Sequence, residues 1–307
     1  MADREMTGTG GQPAHAAVLQ AGPGESAPSS KAGHAPVALV TGGGRGIGAA
    51  VAAGLAGAGW RVAVLDACRD DPALAYPLAT SADLDATAAT CAEAFTRSAG
   101  TGAGARPGAL ALQADVRDLQ ALESAVGRAT AELGGLDAVV AAAGAVAGGA
   151  DAWLTSDEVW HVMLDVNLTG VWNTARATVP ALLAAPEPRH GRFVALASAG
   201  SSVGLARLAA YSAAKHGVLG LVRSLAAELA GTGVTANAVA PGTTDTAMGR
   251  ASAAVYGLRT EDLAEHHLDR RLLHTAEVAA LVCWLCGPAS SGVTGALLPV
   301  DLGMTAH

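Results

Sequence analysis

Short apolar runs alternate along the chain with longer stretches in which apolar and polar positions recur at helical spacing. The runs at residues 37–40, 61–65, 109–113, 136–142, 192–197, 234–240 and 296–300 are rich in Val, Leu and Ala and bounded by turn residues. Such runs read as strands buried on both faces. Between them the pattern predicts helices from the first Gly-rich turn to about residue 58, then over 83–98, 119–133, 155–185, 209–230 and 277–286, with Pro180 near a bend in the longest. Residues 67–82, with prolines and acidic turn signals, and residues 99–108, rich in Gly and Pro, are expected as loops.

Strands that alternate with helices predict an α/β protein, a single Rossmann-type doubly wound parallel sheet with helices on both faces. No repeat and no second-domain boundary interrupts residues 36–307, which are expected to form one domain. The first 35 residues are rich in Gly, Ala, Pro and Ser and lack the basic start and apolar core of a signal peptide, so they are expected as a tail. Residues 243–273 follow the sixth strand at the carboxyl end of the sheet and are expected as a substrate lid, with 145–155 as a further pocket segment.

Charge narrows the function classes. Lys and Arg total 19 against 27 acidic residues, a net charge of −8. That excludes a basic stripe for nucleic acid and a polybasic membrane surface. There is no apolar run of about 18 residues to span a bilayer. Four cysteines are too few for a disulfide scaffold, and a reduced, cytoplasmic protein is expected.

The candidate chemistry begins in the loop Thr41-Gly42-Gly43-Gly44-Arg45-Gly46-Ile47-Gly48, between the first strand and first helix. Glycines there permit a sharp turn, bring backbone N–H groups to a pyrophosphate and let the helix pack closely. Asp66, 18 residues beyond Gly48, ends the second strand, where a carboxylate would accept from a ribose 2′-hydroxyl and repel a 2′-phosphate. NAD is therefore favoured over NADP, with Arg45 and Arg69 as the counterweight.

Only two lysines occur in the chain, Lys31 and Lys215, and Lys215 stands one helical turn after Tyr211. An ammonium so placed is expected to lower the phenol's pKa and make the pair a general acid/base at an alcohol or carbonyl oxygen. Ser198, 13 residues before Tyr211, can hold the substrate oxygen, with Ser201 and Ser202 as rivals. Asn167, within the longest helix, is a mediocre helix former there and a candidate to hold a water in a proton relay from Lys215.

Together these residues resemble the classical short-chain dehydrogenase/reductase family over about residues 36–303. The resemblance rests on the Thr41–Gly48 loop, Asp115, Asn167, Ser198, Tyr211 with Lys215, and Pro241-Gly242 followed by Thr246. It implies hydride transfer at the nicotinamide while Tyr211 shuttles the proton, with Lys215 also on the nicotinamide ribose. It further implies that Asp115 and the Val116 backbone face the adenine, that Ala142, Gly144, Pro241, Thr244 and Thr246 border the cofactor, and that the chain forms a homotetramer. One departure stands out: Ala141-Ala142-Ala143-Gly144 replaces the family's Asn-Asn-Ala-Gly.

The insert Leu-Asp-Ala-Cys-Arg-Asp-Asp-Pro-Ala-Leu-Ala-Tyr-Pro-Leu-Ala-Thr at 65–80 is similar to that of the mycofactocin-coupled subgroup. That likeness implies NAD held without exchange and re-oxidised by mycofactocin. The alternatives are an ordinary ketoreductase with dissociable NAD(P), and a non-catalytic dinucleotide sensor. Cys283 and Cys286 lie late in an apolar helix and are expected as core cysteines rather than a redox pair. His266, His267 and His274 are expected as polar lid residues rather than metal ligands, and Trp153 is a candidate for the substrate pocket. Which alcohol or ketone is bound is beyond the sequence.

Overall fold

The structure, a computed structural model, describes residues 35–99 and 106–306. The expected N-terminal tail, apart from Ala35, and most of the expected 99–108 loop lie outside the described residues. Seven parallel strands form one sheet in the order β3-β2-β1-β4-β5-β6-β7. They are β1 Val37–Thr41, β2 Arg61–Asp66, β3 Ala109–Gln113, β4 Ala138–Ala141, β5 Arg192–Leu196, β6 Thr235–Pro241 and β7 Leu297–Val300. The order reverses direction between β1 and β4, which leaves a crevice at their carboxyl ends.

Strand side chains alternate between the two faces, and each face carries its own core. Leu39, Leu65, Leu112, Val139 and Phe193 pack under α3 Leu119–Ala129, α5 Gly170–Leu183 and α6 Ala209–Glu228. Val40, Val64, Val140, Val194 and Val239 pack under α1 Gly46–Gly57, α2 Ser81–Ala99 and α8 Thr275–Cys286. This two-sided burial is why the strands read as continuous apolar runs rather than alternating ones. Cys283 and Cys286 belong to the second core, where burial pushes the Cys283 thiol up to about 11 and raises Cys286 as well. Among the described residues no helix is long and apolar enough to cross a membrane.

Several element boundaries differ from the sequence expectation, four of them for a reason that is local. Helix α2 starts inside the expected loop because Thr80 and Asp83 cap it reciprocally. Asp83 N donates to the Thr80 hydroxyl at 3.2 Å and Thr80 N to the Asp83 carboxylate at 2.8 Å. The expected 155–185 helix is two helices, α4 Asp157–Leu164 and α5, joined by a π turn over Asp165–Thr169; Pro180 lies within α5. The expected 119–133 helix also closes in a π turn, Thr130–Gly134, where the Thr130 hydroxyl bonds back to Val126 and Gly127. The expected lid contains an unforeseen helix, α7 Ala247–Val255, capped by Thr246, whose hydroxyl accepts from Gly249 N at 3.0 Å.

Candidate active site

A cleft of about 680 Å³ opens at the carboxyl ends of β1 and β4, where the sheet order reverses. Gly42, Arg45, Gly46, Ile47 and Gly48 line one side of it, Asp66, Asp115 and Val116 one end, and Ala142, Gly144, Pro241, Thr244 and Thr246 the floor and far side. Ser198, Tyr211 and Lys215 stand at the other end. Gly44 does not line the cleft; its N–H donates to the Asp66 carboxylate at 3.0 Å and holds that group in place.

The glycine loop is as close-packed as a phosphate cradle requires. Gly42 has φ +64°, and a Cβ there would lie 2.6 Å from the Ala143 Cα. A Cβ on Gly48 would lie 2.1 Å from the Gly42 carbonyl oxygen, so only glycine lets α1 begin this near the strand end. No side chain caps α1, whose first N–H groups are left to a ligand at the cleft. This geometry fits the pyrophosphate of a dinucleotide. The residues missing from the Asn-Asn-Ala-Gly pattern are compensated from β1. The Thr41 hydroxyl accepts from Ala142 N at 3.1 Å and Ala143 N at 3.2 Å and so ties the two strand ends together.

The loop that leaves Asp66 folds back over the adenosine end. Arg117 donates to Asp115 at 2.7 Å and to Asp71 at 2.7 Å, while Arg69 reaches Asp115 at 3.1 Å. Asp115, expected to face the adenine, thus has its carboxylate shared between two guanidiniums, whose hydrogen bonds and charge hold its pKa below the usual carboxylate value against the opposing effect of burial. Arg45 donates to the Pro77 carbonyl at 2.6 Å, and Leu78 N donates to Asp70 at 2.6 Å. The Tyr76 hydroxyl accepts from Val146 N at 3.1 Å. The insert therefore straps the cleft from the adenosine end across to β4.

At the catalytic end Tyr211 and Lys215 lie on one face of α6, with Nζ 5.8 Å from the ring centroid. Both are buried. The expected lowering of the phenol's pKa is not what the protein alone produces. Burial raises Tyr211, the Ser198 hydroxyl pulls it back only in part, and Tyr76 adds to the rise. Burial also brings Lys215 down to about 8, and its Nζ donates to the Leu196 carbonyl at 2.8 Å. The Ser198 hydroxyl caps the turn Ala199–Ser201, accepting from Gly200 N at 3.1 Å. Of its rivals, Ser201 is buried and donates to the Lys215 carbonyl at 2.9 Å, and Ser202 is exposed. Ser198 alone of the three lines the cleft.

Asn167 sits in the π turn, wholly buried, and does not line the cleft. Its carbonyl oxygen accepts from Ala145 N at 3.1 Å, and its amide donates to Ala145 O at 3.0 Å and Met163 O at 2.9 Å. Apart from a 3.7 Å contact of its amide with the Met163 sulfur, the side-chain bonding goes to backbone, so the Asn167 side chain is a clamp on the segment after β4. Of residues 145–155 only Ala145 lines the cleft, and Trp153 is 81% exposed and away from it. His267, expected as a polar lid residue, is buried. Its Nε2 accepts from Thr243 N at 3.1 Å and its Nδ1 faces the Arg271 carbonyl at 2.5 Å, so it pins the lid to the end of β6. Sequence reasoning overlooked Tyr76 and Tyr256, which line the cleft with Tyr211. The chain's aromatic poverty, only three tyrosines in all, was the signal that could have found them.

A doubly wound sheet with a glycine cradle, a carboxylate at the end of β2 and a half-buried serine beside a buried Tyr-Lys pair defines a nucleotide-dependent oxidoreductase. The chain belongs to the short-chain dehydrogenase/reductase family. Residues 81–305 match the family model described as enoyl-(acyl carrier protein) reductase. The chain is 36% identical to (−)-trans-carveol dehydrogenase of Rhodococcus erythropolis, over 88% of this chain and 97% of that one. It is also similar to the solved structure of carveol dehydrogenase from Mycobacterium avium in complex with NAD, at TM-score 0.81 and 33% identity, over 89% of this chain and 99% of the other. A short-chain dehydrogenase from Mycobacterium paratuberculosis bound to NAD is similar at TM-score 0.77 and 31% identity, over 90% and 99% of the two chains.

Proposed function

We propose that the protein oxidises a neutral alcohol, or reduces the matching ketone, with NAD(H) held under the 66–80 strap. The observation that carries this reading is the joint placement of Tyr211, Ser198 and Lys215 at one end of the glycine-cradled cleft. Asp66 supports NAD over NADP, since its carboxylate is fixed by Gly44 N where a 2′-phosphate would come. Arg45 and Arg69, the groups that could have met such a phosphate, are engaged with Pro77 and Asp115. The NAD in the related carveol dehydrogenase structure, and the alcohol in its name, point the same way.

The residues divide the work by atom. Gly42, Gly46 and Gly48 would hold the pyrophosphate, Asp66 the adenosine ribose and Lys215 the nicotinamide ribose. Bound NAD supplies the acceptor for hydride from the carbinol carbon. Tyr211 takes the proton from the substrate hydroxyl as that hydride leaves, or gives it back in the reductive direction. Ser198 donates to the same oxygen and fixes it beside the phenol. Lys215, once charged, favours the phenolate.

The strap makes NAD release slow, and an external acceptor then has to reoxidise the nucleotide in place. The likeness of the insert to the mycofactocin-coupled subgroup names mycofactocin for that role. The chain works as a homotetramer in the cytoplasm; Trp160 and Trp172, 40% and 48% exposed on α4 and α5, suit an interface there. Native mass spectrometry of the purified protein tests retention and assembly together. Bound NAD on a tetramer is the expected result. A protein that arrives empty and turns over freely with added NAD(P) would replace this reading with a dissociable-cofactor ketoreductase, and binding without hydride transfer to any alcohol would replace it with a sensor.

A further inference from the structure

All three tyrosines of the chain line the one cleft, although they come from three separate elements. Tyr76 is carried by the strap, Tyr211 by α6 and Tyr256 by the turn after α7. Two of the three have their hydroxyls tied to backbone. Tyr76 accepts from Val146 N at 3.1 Å, and Tyr256 donates to the Ala206 carbonyl at 2.8 Å. Burial keeps both phenols protonated by raising them above the ordinary tyrosine value. Tyr256 therefore offers the cleft its ring and Tyr76 its ring with the hydroxyl oxygen held by backbone, while the Tyr211 hydroxyl faces Ser198 and is the phenol placed for proton transfer.

The surroundings repeat that character. Tyr76 and Tyr256 pack in the same apolar cluster as Tyr211, Leu74, Leu208 and Met248. Each cationic Arg or Lys side chain that lines the cleft, among the described residues, already has a protein partner. Arg45 is on Pro77, Arg69 and Arg117 are on Asp115, Lys215 is on Leu196 and Arg250 is on Asp245. Arg69, Arg117 and Arg250 are neutralised by carboxylates, while Arg45 and Lys215, held by carbonyls, keep their charge; the surface formed by Tyr76, Tyr256, Leu208 and Met248 itself carries no cation and suits a neutral apolar substrate.

We propose that Tyr76 and Tyr256 are the specificity-determining residues of the substrate pocket, two aromatic walls that select a neutral, ring-sized alcohol or ketone. The strap thereby serves both halves of the cleft: its Arg69–Asp71 part closes the adenosine end, and its Leu74–Tyr76 part shapes the substrate end. Flat rings match cyclic substrates because they give broad van der Waals contact at little entropic cost.

The inference rests on the alcohol oxidoreductase reading and is tested so that the two fail differently. Reduction of protein-bound NAD is followed with cyclohexanol, 2-propanol and lactate in the wild type and in Tyr76→Ala, Tyr76→Leu, Tyr256→Ala and Tyr256→Leu, with melting temperature and bound NAD as controls for folding. The Leu variants keep apolar bulk without a flat ring and serve where the Ala variants do not fold. Wild type is expected to prefer cyclohexanol. In each variant the cyclohexanol to 2-propanol ratio of second-order rate constants for reduction of bound NAD is expected to fall about tenfold or more, whatever change the two alcohols share. Tyr76→Phe and Tyr256→Phe, which keep the rings, should retain the preference. Folded Leu variants with an unchanged cyclohexanol to 2-propanol ratio overturn the inference and leave the alcohol oxidoreductase reading standing. A wild type that favours lactate overturns the neutral class. No hydride transfer from either neutral alcohol overturns both readings.

Discussion

In the proposed reaction Tyr211 carries the proton, and its setting decides a pH dependence. Burial raises the phenol, so near neutrality it is protonated and ready to donate to a carbonyl. Alcohol oxidation needs the phenolate, whose fraction grows tenfold per pH unit below the pKa. Lys215, brought down to about 8, loses its charge above that pH and with it the attraction that favours the phenolate. Oxidation should therefore climb from neutral pH and flatten above about pH 8, while reduction should be favoured toward acid. A pH–rate profile in both directions checks this, and an oxidation rate that falls between pH 7 and 8 would contradict it.

The same lysine has a stability signature. Its folded pKa of about 8 lies below the ordinary lysine value of 10.5, so the unfolded chain binds the extra proton between those values. Unfolded protein holding more protons means stability that rises with pH across that window. The charged lysine thus costs the nucleotide-free fold up to about 3 kcal/mol at pH 7, a cost relieved by pH 10.5. Denaturant midpoints of nucleotide-stripped protein should rise over that range, and Lys215→Met should remove the increment due to this group. These residues were legible because their spacing is short and local, one turn of helix for Tyr211 and Lys215. The raised phenol was not, since burial is a property of the assembled fold. Asn167 shows the same division: its position within a helical stretch could be read, but its engagement with Ala145, 22 residues away, could not.

Among the elements, the strap between β2 and α2 covers one end of the cleft. Its anchors are distributed: Asp71 to Arg117, Arg69 to Asp115, Asp70 to Leu78 N, Arg45 to Pro77 and Tyr76 to Val146. Arg117 is the joint, since it grips Asp71 on the strap and Asp115 after β3 together. Both carboxylates are partly buried, so Arg117→Ala leaves two crowded negative charges without their main partner. That variant should release NAD about tenfold faster or more, as read by trapping released nucleotide in a stopped-flow assay, with kcat/KM for substrate changed far less. Equal release rates would show that the strap does not hold the nucleotide. The insert was recognisable from composition as a long loop, but its partners were not, because apart from the Asp70–Leu78 contact inside the strap they lie 32 to 70 residues away. The lid misled in a different way: α7 is short, and its start depends on Thr246 capping Gly249, a signal easily lost in an Ala-rich stretch.

On the scale of the molecule, the order of seven strands follows from the alternation of runs and helices. The switch between β1 and β4 then places the cleft. Strand positions were legible because both sheet faces are covered and each run is predominantly apolar, with polar residues such as Arg61, Gln113 and Arg192 at strand ends. The meeting of Tyr76, Tyr211 and Tyr256 was not, because it depends on how three crossover segments fold over the carboxyl edge. In the proposed reaction this cleft moves a hydride between an alcohol and bound NAD, with Tyr211 as the proton carrier. The direct measurement is a single-turnover experiment that follows reduced-nicotinamide absorbance after wild type and Tyr211→Phe, each shown to contain NAD, are mixed with cyclohexanol. Reduction of bound NAD in the wild type, and its loss by about a thousandfold or more in Tyr211→Phe with NAD still bound, is the predicted result. Comparable rates in the two proteins would contradict the account.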